Sequence, residues 1–404
     1  MVGRLFENDI HEDFGTWPLG YIPYGGADFG EVRAVAEAVG SGDDGAFYRA
    51  WNAAADRLKE EAEISLAKGH RASARELYLR ASVFYCASYH PLYGAPVDPR
   101  LLAAFRMQVD MLDKAFKLGT APIERLFIPF EPTPMPAYLI PAEGLENEVR
   151  PLIIFNNGYD ATITDLYFQS AVAASRRGYH ALVFDGPGQG AMLYERGIPM
   201  RADWEVVIKA VVDFALTLPN VDADRIALSG ASLGGHLAPR AASGEHRLAA
   251  LIADPGTWSI ASGFRSAFKR MFDLSDEDVS DLGKLDQSII DSAEAFVRGN
   301  PSLNWKVVKR GFWVHGVDNF RDFLATAELF TLEGRAELIR CPTLITHAEN
   351  DNLASDAEFM FGALRCPKTL LRFTAAEGAA GHCEMGNRSL LNRRALDWLD
   401  EQFA

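Results

Sequence analysis

Ser232, Asp351 and His382 are the residues whose types and order could activate a hydroxyl group for attack on a carbonyl carbon. Ser232 is the middle of Gly230-Ala231-Ser232-Leu233-Gly234, which follows the run Arg225-Ile226-Ala227-Leu228 and opens onto Leu233-Gly234-Gly235-His236. A strand, a tight turn and a helix in that order make a nucleophile elbow, where small neighbours let the chain turn sharply enough to expose the serine oxygen. The five-residue string alone is a weak signal, and its setting gives it weight. Serine is a poor nucleophile near neutral pH, so it needs a base within hydrogen-bond reach and a third group that fixes the base's tautomer. The chain order that accompanies this elbow is serine, acid, histidine.

Asp351 is the expected acid and His382 the expected base. The strand Thr343–His347 runs into Ala348-Glu349-Asn350-Asp351-Asn352, an acidic loop at a strand's C-terminal end, with Glu349 the rival to Asp351. Of the nine histidines, His382 alone combines the right order with a Gly/Ala loop, Gly378-Ala379-Ala380-Gly381. His236 is expected to pack or hydrogen-bond on its helix, and His347 to be buried at its strand end. The oxyanion donors are expected to be the backbone N–H groups of Leu233 and Tyr159. Tyr159 lies in Asn156-Asn157-Gly158-Tyr159-Asp160, where Gly158 lets the main chain turn back towards the elbow. Asn157 and Asp160 are candidate substrate contacts, although turn formation accounts for them equally. Asp254 and Trp258 are further candidates, with a turn cap and lid packing as the alternatives. Asp185-Gly186-Pro187-Gly188-Gln189-Gly190 lacks the endings of a phosphate-binding loop and reads as structural. No H-E-x-x-H motif or clustered His/Cys set is present, so neither a metal nor a cofactor is expected.

These residues must be positioned by something, and the texture of the chain says what. Residues 1–120 read as helix after helix, with Ala46–Lys68 and Arg71–Tyr89 an antiparallel pair and Leu101–Leu118 another helix. From Ile123 the texture changes. Leu126–Phe130 and Ala137–Ile140 predict a hairpin. Apolar strands then follow at Leu152–Asn156, Ala181–Asp185, Arg225–Ser229, Leu248–Asp254, Thr343–His347 and Thr369–Phe373. Between and after them lie helices at Thr162–Gly178, Asp203–Leu216, Leu233–Ala242 and Asn387–Phe403. Continuous apolar strands alternating with amphipathic helices specify a mostly parallel, doubly wound α/β sheet. Residues 121–256 and 341–404 are read as the two parts of this core. Residues 257–340 contain no convincing parallel strand, but show helical stretches at Gly263–Phe272, Asp281–Arg298 and Phe320–Leu332. They are read as a helical lid insertion over the strand ends.

Composition narrows the partners. With 40 Lys and Arg against 55 Asp and Glu, the net charge of −15 argues against a nucleic-acid partner. No stretch reaches the roughly 18 apolar residues of a membrane span, and the N-terminus turns acidic before a signal sequence could form. Four cysteines without a C-x-x-C pair fit reduced thiols. A cytoplasmic protein acting on a small molecule is the expectation.

The helical N-terminal region, Asn157-Gly158-Tyr159-Asp160, the Asp185–Gly190 loop, the elbow with Leu237-Ala238-Pro239-Arg240 after it, and Gly381-His382-Cys383-Glu384 together resemble two related α/β-hydrolase groups. These are the 2,6-dihydroxypseudooxynicotine hydrolase of nicotine breakdown and the fungal yellowish-green polyketide-shortening hydrolases. The resemblance spans nearly the whole chain. It implies the α/β-hydrolase fold, a cap formed partly by the N-terminal helices, a homodimer, and hydrolysis of a carbon–carbon bond next to a ketone. By position, the family's triad falls on Ser232, Asp351 and His382. The interval from Ser232 to Asp351 is longer than the family pattern, and the extra length lies in the lid, so substrate identity does not transfer with the triad. Three alternatives stay open: an esterase, lactonase or amidase with the same triad; an acyltransferase or cyclase; and a non-catalytic binding protein on this fold.

Overall fold

The computed structural model describes residues 4–120 and 123–404. Residues 1–3 of the acidic N-terminal stretch and the expected boundary between 120 and 121 fall at or outside those limits.

Eight strands form one sheet: β1 (Arg125–Ile128), β2 (Met135–Ile140), β3 (Arg150–Asn156), β4 (His180–Phe184), β5 (Val221–Ala231), β6 (Ala250–Asp254), β7 (Thr343–Ala348) and β8 (Lys368–Phe373). Their order is β1-β2-β4-β3-β5-β6-β7-β8. The β1–β2 and β2–β4 pairs are antiparallel, and every pair from β4 to β8 is parallel. The two faces of the sheet feed different cores. Ile153, Phe155, Ala181, Val183 and Ala227 join one apolar cluster, while Leu152, Ile154, Leu182, Phe184, Ile226 and Leu228 join the other. Side chains alternate across a strand, so only a strand covered on both faces is apolar throughout.

The winding reverses at β3. The chain leaves β3 for β4 on one side, then returns past it to β5 on the other. At such a switch point the loops after the two central strands diverge and leave a crevice at their C-terminal ends. Here those loops are Asn157–Asp160 after β3 and the Ser232 turn after β5, which is why the candidate site lies there.

The N-terminal region supplies the helices Phe29–Val39, Asp44–Ala67, Arg71–Ser88 and Pro99–Lys117. Asp43 accepts the Ala46 N–H at 2.8 Å, and Asp98 accepts that of Arg100, with Pro99 at the first helical position. These are ordinary start signals for helices of this length. The helix expected over Thr162–Gly178 is α-helical at Ile163–Leu166 and Val172–Arg176 and widens to a π-turn over Tyr167–Ala171.

Between β6 and β7 the helices are Ile260–Phe272, Gln287–Gly299, a run from Pro301 to His315, and Phe320–Glu328. The Pro301–His315 run was not legible in advance. Its central part, Asn304–Phe312, is a π-helix. Gly299-Asn300-Pro301 before the run and Gly311 within it read as breaks, which hides it although its apolar residues keep helical spacing. The expected helix Asp281–Arg298 is interrupted: a short 3₁₀ turn at Leu282–Lys284 precedes Gln287–Gly299. Phe268, Leu282, Ile290, Phe320, Phe323 and Leu324 give this interval an apolar cluster of its own.

Two tryptophans of the Pro301–His315 run dock it on the N-terminal region and on the core helix Gly190–Tyr194. Trp305 stacks on Tyr93 at 5.5 Å and donates its Nε1–H to the His90 carbonyl at 3.2 Å, and Trp313 stacks on Tyr194 at 5.3 Å. Trp305→Ala is expected to destabilise the fold by about 3–5 kcal/mol, the usual cost of deleting a buried large aromatic. Urea unfolding of the two proteins measures this, and a change below about 1 kcal/mol would show that Trp305 does not anchor the interval.

Candidate active site

Ser232 has a φ of 60°, in the left-handed region that non-glycine residues avoid. Its neighbours leave no other path. A Cβ on Gly230 would overlap the Gly234 carbonyl oxygen, and one on Gly234 would lie 2.6 Å from the Asn156 oxygen. The Ser232 N–H donates to the Asp254 carbonyl at 2.7 Å, tying the turn to the end of β6. Small residues are therefore required by contact here as well as by turn geometry.

The structure brings Ser232, His382 and Asp351 into one chain of hydrogen bonds. Ser232 Oγ is 2.9 Å from His382 Nε2, and His382 Nδ1 is 2.8 Å from Asp351 Oδ2. The Asp351 carboxylate is 4% exposed and the imidazole 37% exposed, so the acid is shielded while one edge of the base reaches the surface. Burial alone would lower the pKa of His382. The hydrogen bond and charge of Asp351, with Asp254 and Asp160 adding to them, win and raise it above its usual value. Burial works against ionisation of Asp351 too, but the bond to His382 holds its pKa below the usual carboxylate range. Glu349, the rival acid, is exposed and accepts the Ala375 N–H at 2.8 Å.

The loop after β3 packs against the elbow. A Cβ on Gly158 would lie 2.6 Å from the Leu233 nitrogen and 3.0 Å from Ser232 Cβ. Among the described residues, no acceptor faces the N–H of Leu233 or of Tyr159. The Asn157 side chain is fully buried, with neither amide atom in a hydrogen bond. Asp160 pairs with Arg310 at 2.7 Å, and the Tyr159 hydroxyl lies 2.6 Å from His315 Nε2. Both partners come from the Pro301–His315 run. Burial, with the Arg310 charge adding to it, lowers the His315 pKa to about 4, so this imidazole is neutral.

The two candidate contacts at and after the end of β6 lie at different depths. Asp254 is buried: its Oδ1 accepts from Thr346 at 2.9 Å, and its Oδ2 pairs with Arg388 at 2.7 Å. Its carboxylate is committed beneath the elbow, because a buried charge must find a countercharge. Trp258 is half-buried and meets Phe359 edge-on at 4.8 Å. His236 is buried and bonds the Thr257 carbonyl, but His347 is half-buried, not fully buried, because it lies opposite the exposed Arg372 of the edge strand β8. In the Asp185–Gly190 loop both Asp185 oxygens accept backbone N–H groups, from Ile163 and Ala191. Cavities of about 260 Å³, against Thr162 and Asp185, and about 600 Å³, against Tyr167 and Arg176, lie away from Ser232.

Sequence reasoning missed a polar layer under the triad. Cys383 and Glu384, directly after His382, both have left-handed backbones, at φ 50° and 49°. The Cys383 sulfur lies 3.1 Å from the Ser232 nitrogen. The Glu384 carboxyl is fully buried, and burial first, then the Asp254 charge, pushes its pKa well above the usual range and favours the neutral acid. Only the run Gly381-His382-Cys383-Glu384 hinted at this, and Arg388 gave no signal inside its helix. Glu384→Gln, an isostere of the neutral acid, is expected to keep stability within about 1 kcal/mol. Arg388→Met is expected to cost about 3–5 kcal/mol, because it strands Asp254 as a buried charge. Denaturant unfolding compares the two, and equal losses would contradict this charge assignment.

A model of the alpha/beta hydrolase family matches residues 153–389, and the chain belongs to that family, a hydrolase by its fold and its relatives. The chain is 33% identical to the 20-hydroxy-prefusarin hydrolase FUS2 of Gibberella moniliformis, over 99% of this chain and 98% of that one. It is 32% identical to the hydrolase acrC of Aspergillus aculeatus, over 95% and 94%. The solved structure of 2,6-dihydroxy-pseudo-oxynicotine hydrolase superposes with a TM-score of 0.72 at 23% identity, covering 94% of each chain, a likeness of fold. Among the described residues, no helix is long and apolar enough to cross a membrane, and no cluster of His, Cys, Asp and Glu could hold a metal ion.

Proposed function

We propose that the protein is a serine-triad hydrolase that works through an acyl-enzyme on a ketone-activated carbon–carbon bond of an aromatic or polyketide-like small molecule. The observation that carries the reading is the Ser232–His382–Asp351 chain at 2.9 and 2.8 Å, set beside the unpaired N–H groups of Leu233 and Tyr159. His382 Nε2 takes the Ser232 proton as Oγ bonds to the ketone carbon. The oxyanion is held by Leu233 and Tyr159 N–H groups. Collapse of the tetrahedral adduct breaks the carbon–carbon bond, and the leaving carbon departs as an enolate that takes the proton from His382. Water, deprotonated by His382, then cleaves the ester and frees Ser232. The substrate class is supported by the whole-length likeness to the 20-hydroxy-prefusarin hydrolase and by the family resemblance, and an ester, lactone or amide would use the same steps with a different leaving group. We also propose a cytoplasmic homodimer: the four cysteines are unpaired, as in a reducing compartment, and the resemblance implies a dimer, which sedimentation velocity tests.

The deciding experiment is turnover of β-diketones, acyl-phloroglucinols and aryl esters in heavy-oxygen water. Diketone hydrolysis with label in the released acid is expected, and Ser232→Ala should lower turnover by at least about 10⁴-fold. Ester turnover alone would restrict the reading to an esterase. Activity that survives Ser232→Ala would sink the serine mechanism.

The pH profile tests the base. His382 must be neutral to accept the Ser232 proton, and its pKa is raised by Asp351. The acid limb of kcat/KM should therefore have its midpoint above 6.5, with activity rising as pH rises through it. Asp351→Asn should move that midpoint down and reduce kcat by about 10⁴-fold. A midpoint unmoved by the substitution would separate Asp351 from His382.

A further inference from the structure

We infer that Gln189, in the Asp185–Gly190 loop, is a positioning residue that aims the Tyr159 N–H at the oxyanion. This rests on the reading of Leu233 and Tyr159 as the oxyanion donors. Gln189 is fully buried between the loops after β3 and β4. Its Nε2 donates to the Asn157 carbonyl at 2.7 Å and to the Gly158 carbonyl at 3.2 Å. Its Oε1 accepts the Gly186 N–H at 3.0 Å, which fixes which end of the amide faces the oxyanion loop.

The consequence follows from peptide geometry. The Gly158 C=O and the Tyr159 N–H belong to one planar trans unit and point in opposite directions. A donor that holds the carbonyl from one side therefore holds the N–H away from itself. Gly158 is pressed against the Leu233 nitrogen on its other side, as the space at its missing Cβ records. The next carbonyl back is fixed twice, since Asn157 O also receives Asn156 Nδ2 at 3.0 Å, while Asn156 Oδ1 receives Trp204 Nε1 at 2.9 Å.

Gln189 is itself held by a stiff loop. Gly188, at φ +78°, donates its N–H to the Ile198 carbonyl at 2.9 Å, and a Cβ there would overlap Met200. A Cβ on Gly190 would overlap the Asp185 carboxylate, whose oxygens are taken by the N–H groups of Ile163 and Ala191. The glycines of this loop thus seat one amide side chain against the oxyanion loop, which gives a purpose to a motif that lacks the endings of a phosphate-binding loop.

The test uses the full chain with Gln189→Met, which keeps the volume and loses the donors, and Gln189→Glu, which keeps the Gly186 contact but turns an oxygen on two carbonyl oxygens. Folding is checked by circular dichroism and thermal unfolding. Hydrolysis of an aryl ester and inhibition by a trifluoromethyl ketone, whose adduct on Ser232 carries an oxyanion, are then measured. In both variants kcat is expected to fall by about 10²-fold or more with KM within about threefold, and trifluoromethyl ketone affinity to fall in step with kcat. If wild-type protein binds the trifluoromethyl ketone no better than the matching methyl ketone, the oxyanion reading falls and this inference with it. Where wild type has that preference, a folded variant that keeps both it and kcat overturns the role of Gln189 alone. Loss of the fold in both variants also overturns it, by making Gln189 a residue of the core.

Discussion

A left-handed backbone at a serine costs about 1–3 kcal/mol and persists only where its surroundings allow nothing else. At Ser232 those surroundings are the ends of three strands. Gly230 and Gly234 leave no room for a Cβ between β5, the following helix and the Asn156–Asn157 backbone, and Gly235 is pressed as closely on Pro255 after β6. The bond from Ser232 N–H to the Asp254 carbonyl closes the third side. The turn therefore does more than expose an oxygen. It sets the distance from β5 to the loop after β3, where the unpaired N–H of Tyr159 lies, and to the end of β6, where Asp254 anchors a buried polar layer.

That organisation is electrostatic as well as steric. Asp254, Thr346, Cys383, Glu384 and Arg388 form a buried polar layer that joins β6, β7, the His382 loop and the C-terminal helix. A buried ion pair is weak evidence for net stability, because removing both charges from water offsets much of their attraction. Its effect here is on geometry. Arg388 bonds Asp254, the Cys383 carbonyl and the Ser170 hydroxyl at once, and so ties the His382 loop to the end of β6 and to the Tyr167–Ala171 turn. Asp254 contributes twice, by its carbonyl to Ser232 and by its charge to the pKa of His382.

The parts of this arrangement that were legible in the sequence obey short-range or ordering rules. The elbow depends on a strand, two glycines and a helix within a dozen residues, and His382 stands in a small-residue loop in the required order. The central strands were legible because both faces of the sheet are covered there, which makes β3, β4 and β6 nearly continuous apolar runs. The edge strands β1 and β8 carry Arg125, Lys368 and Arg372 and were legible from their β-branched and aromatic content and the turns around them. Asp254 was misread because a carboxylate at a strand end has the same local sequence whether it faces a pocket or a buried arginine 134 residues away. Gln189 was passed over because its role depends on two carbonyls that no periodicity marks. The Pro301–His315 run escaped because Gly299-Asn300-Pro301 and Gly311 read as breaks in a helix, although its apolar residues keep helical spacing.

The same run shows how two kinds of contact divide one task. Towards Tyr93 of the N-terminal region and Tyr194 of the core it presents Trp305 and Trp313, whose ring contacts are mainly apolar and tolerant of small shifts. Towards the oxyanion loop it presents Arg310 and His315, whose bonds to Asp160 and Tyr159 are short and directional. An apolar seam tolerates sliding of a few tenths of an ångström, whereas a 2.6 or 2.7 Å hydrogen bond does not. The inserted interval is thus held in place by its tryptophans and registered by its polar residues. The residues it registers are Tyr159 and Asp160, the two that follow Gly158 against the elbow. A displacement of the insertion that leaves the tryptophans seated would therefore reach Ser232's surroundings through two hydrogen bonds and a single peptide unit.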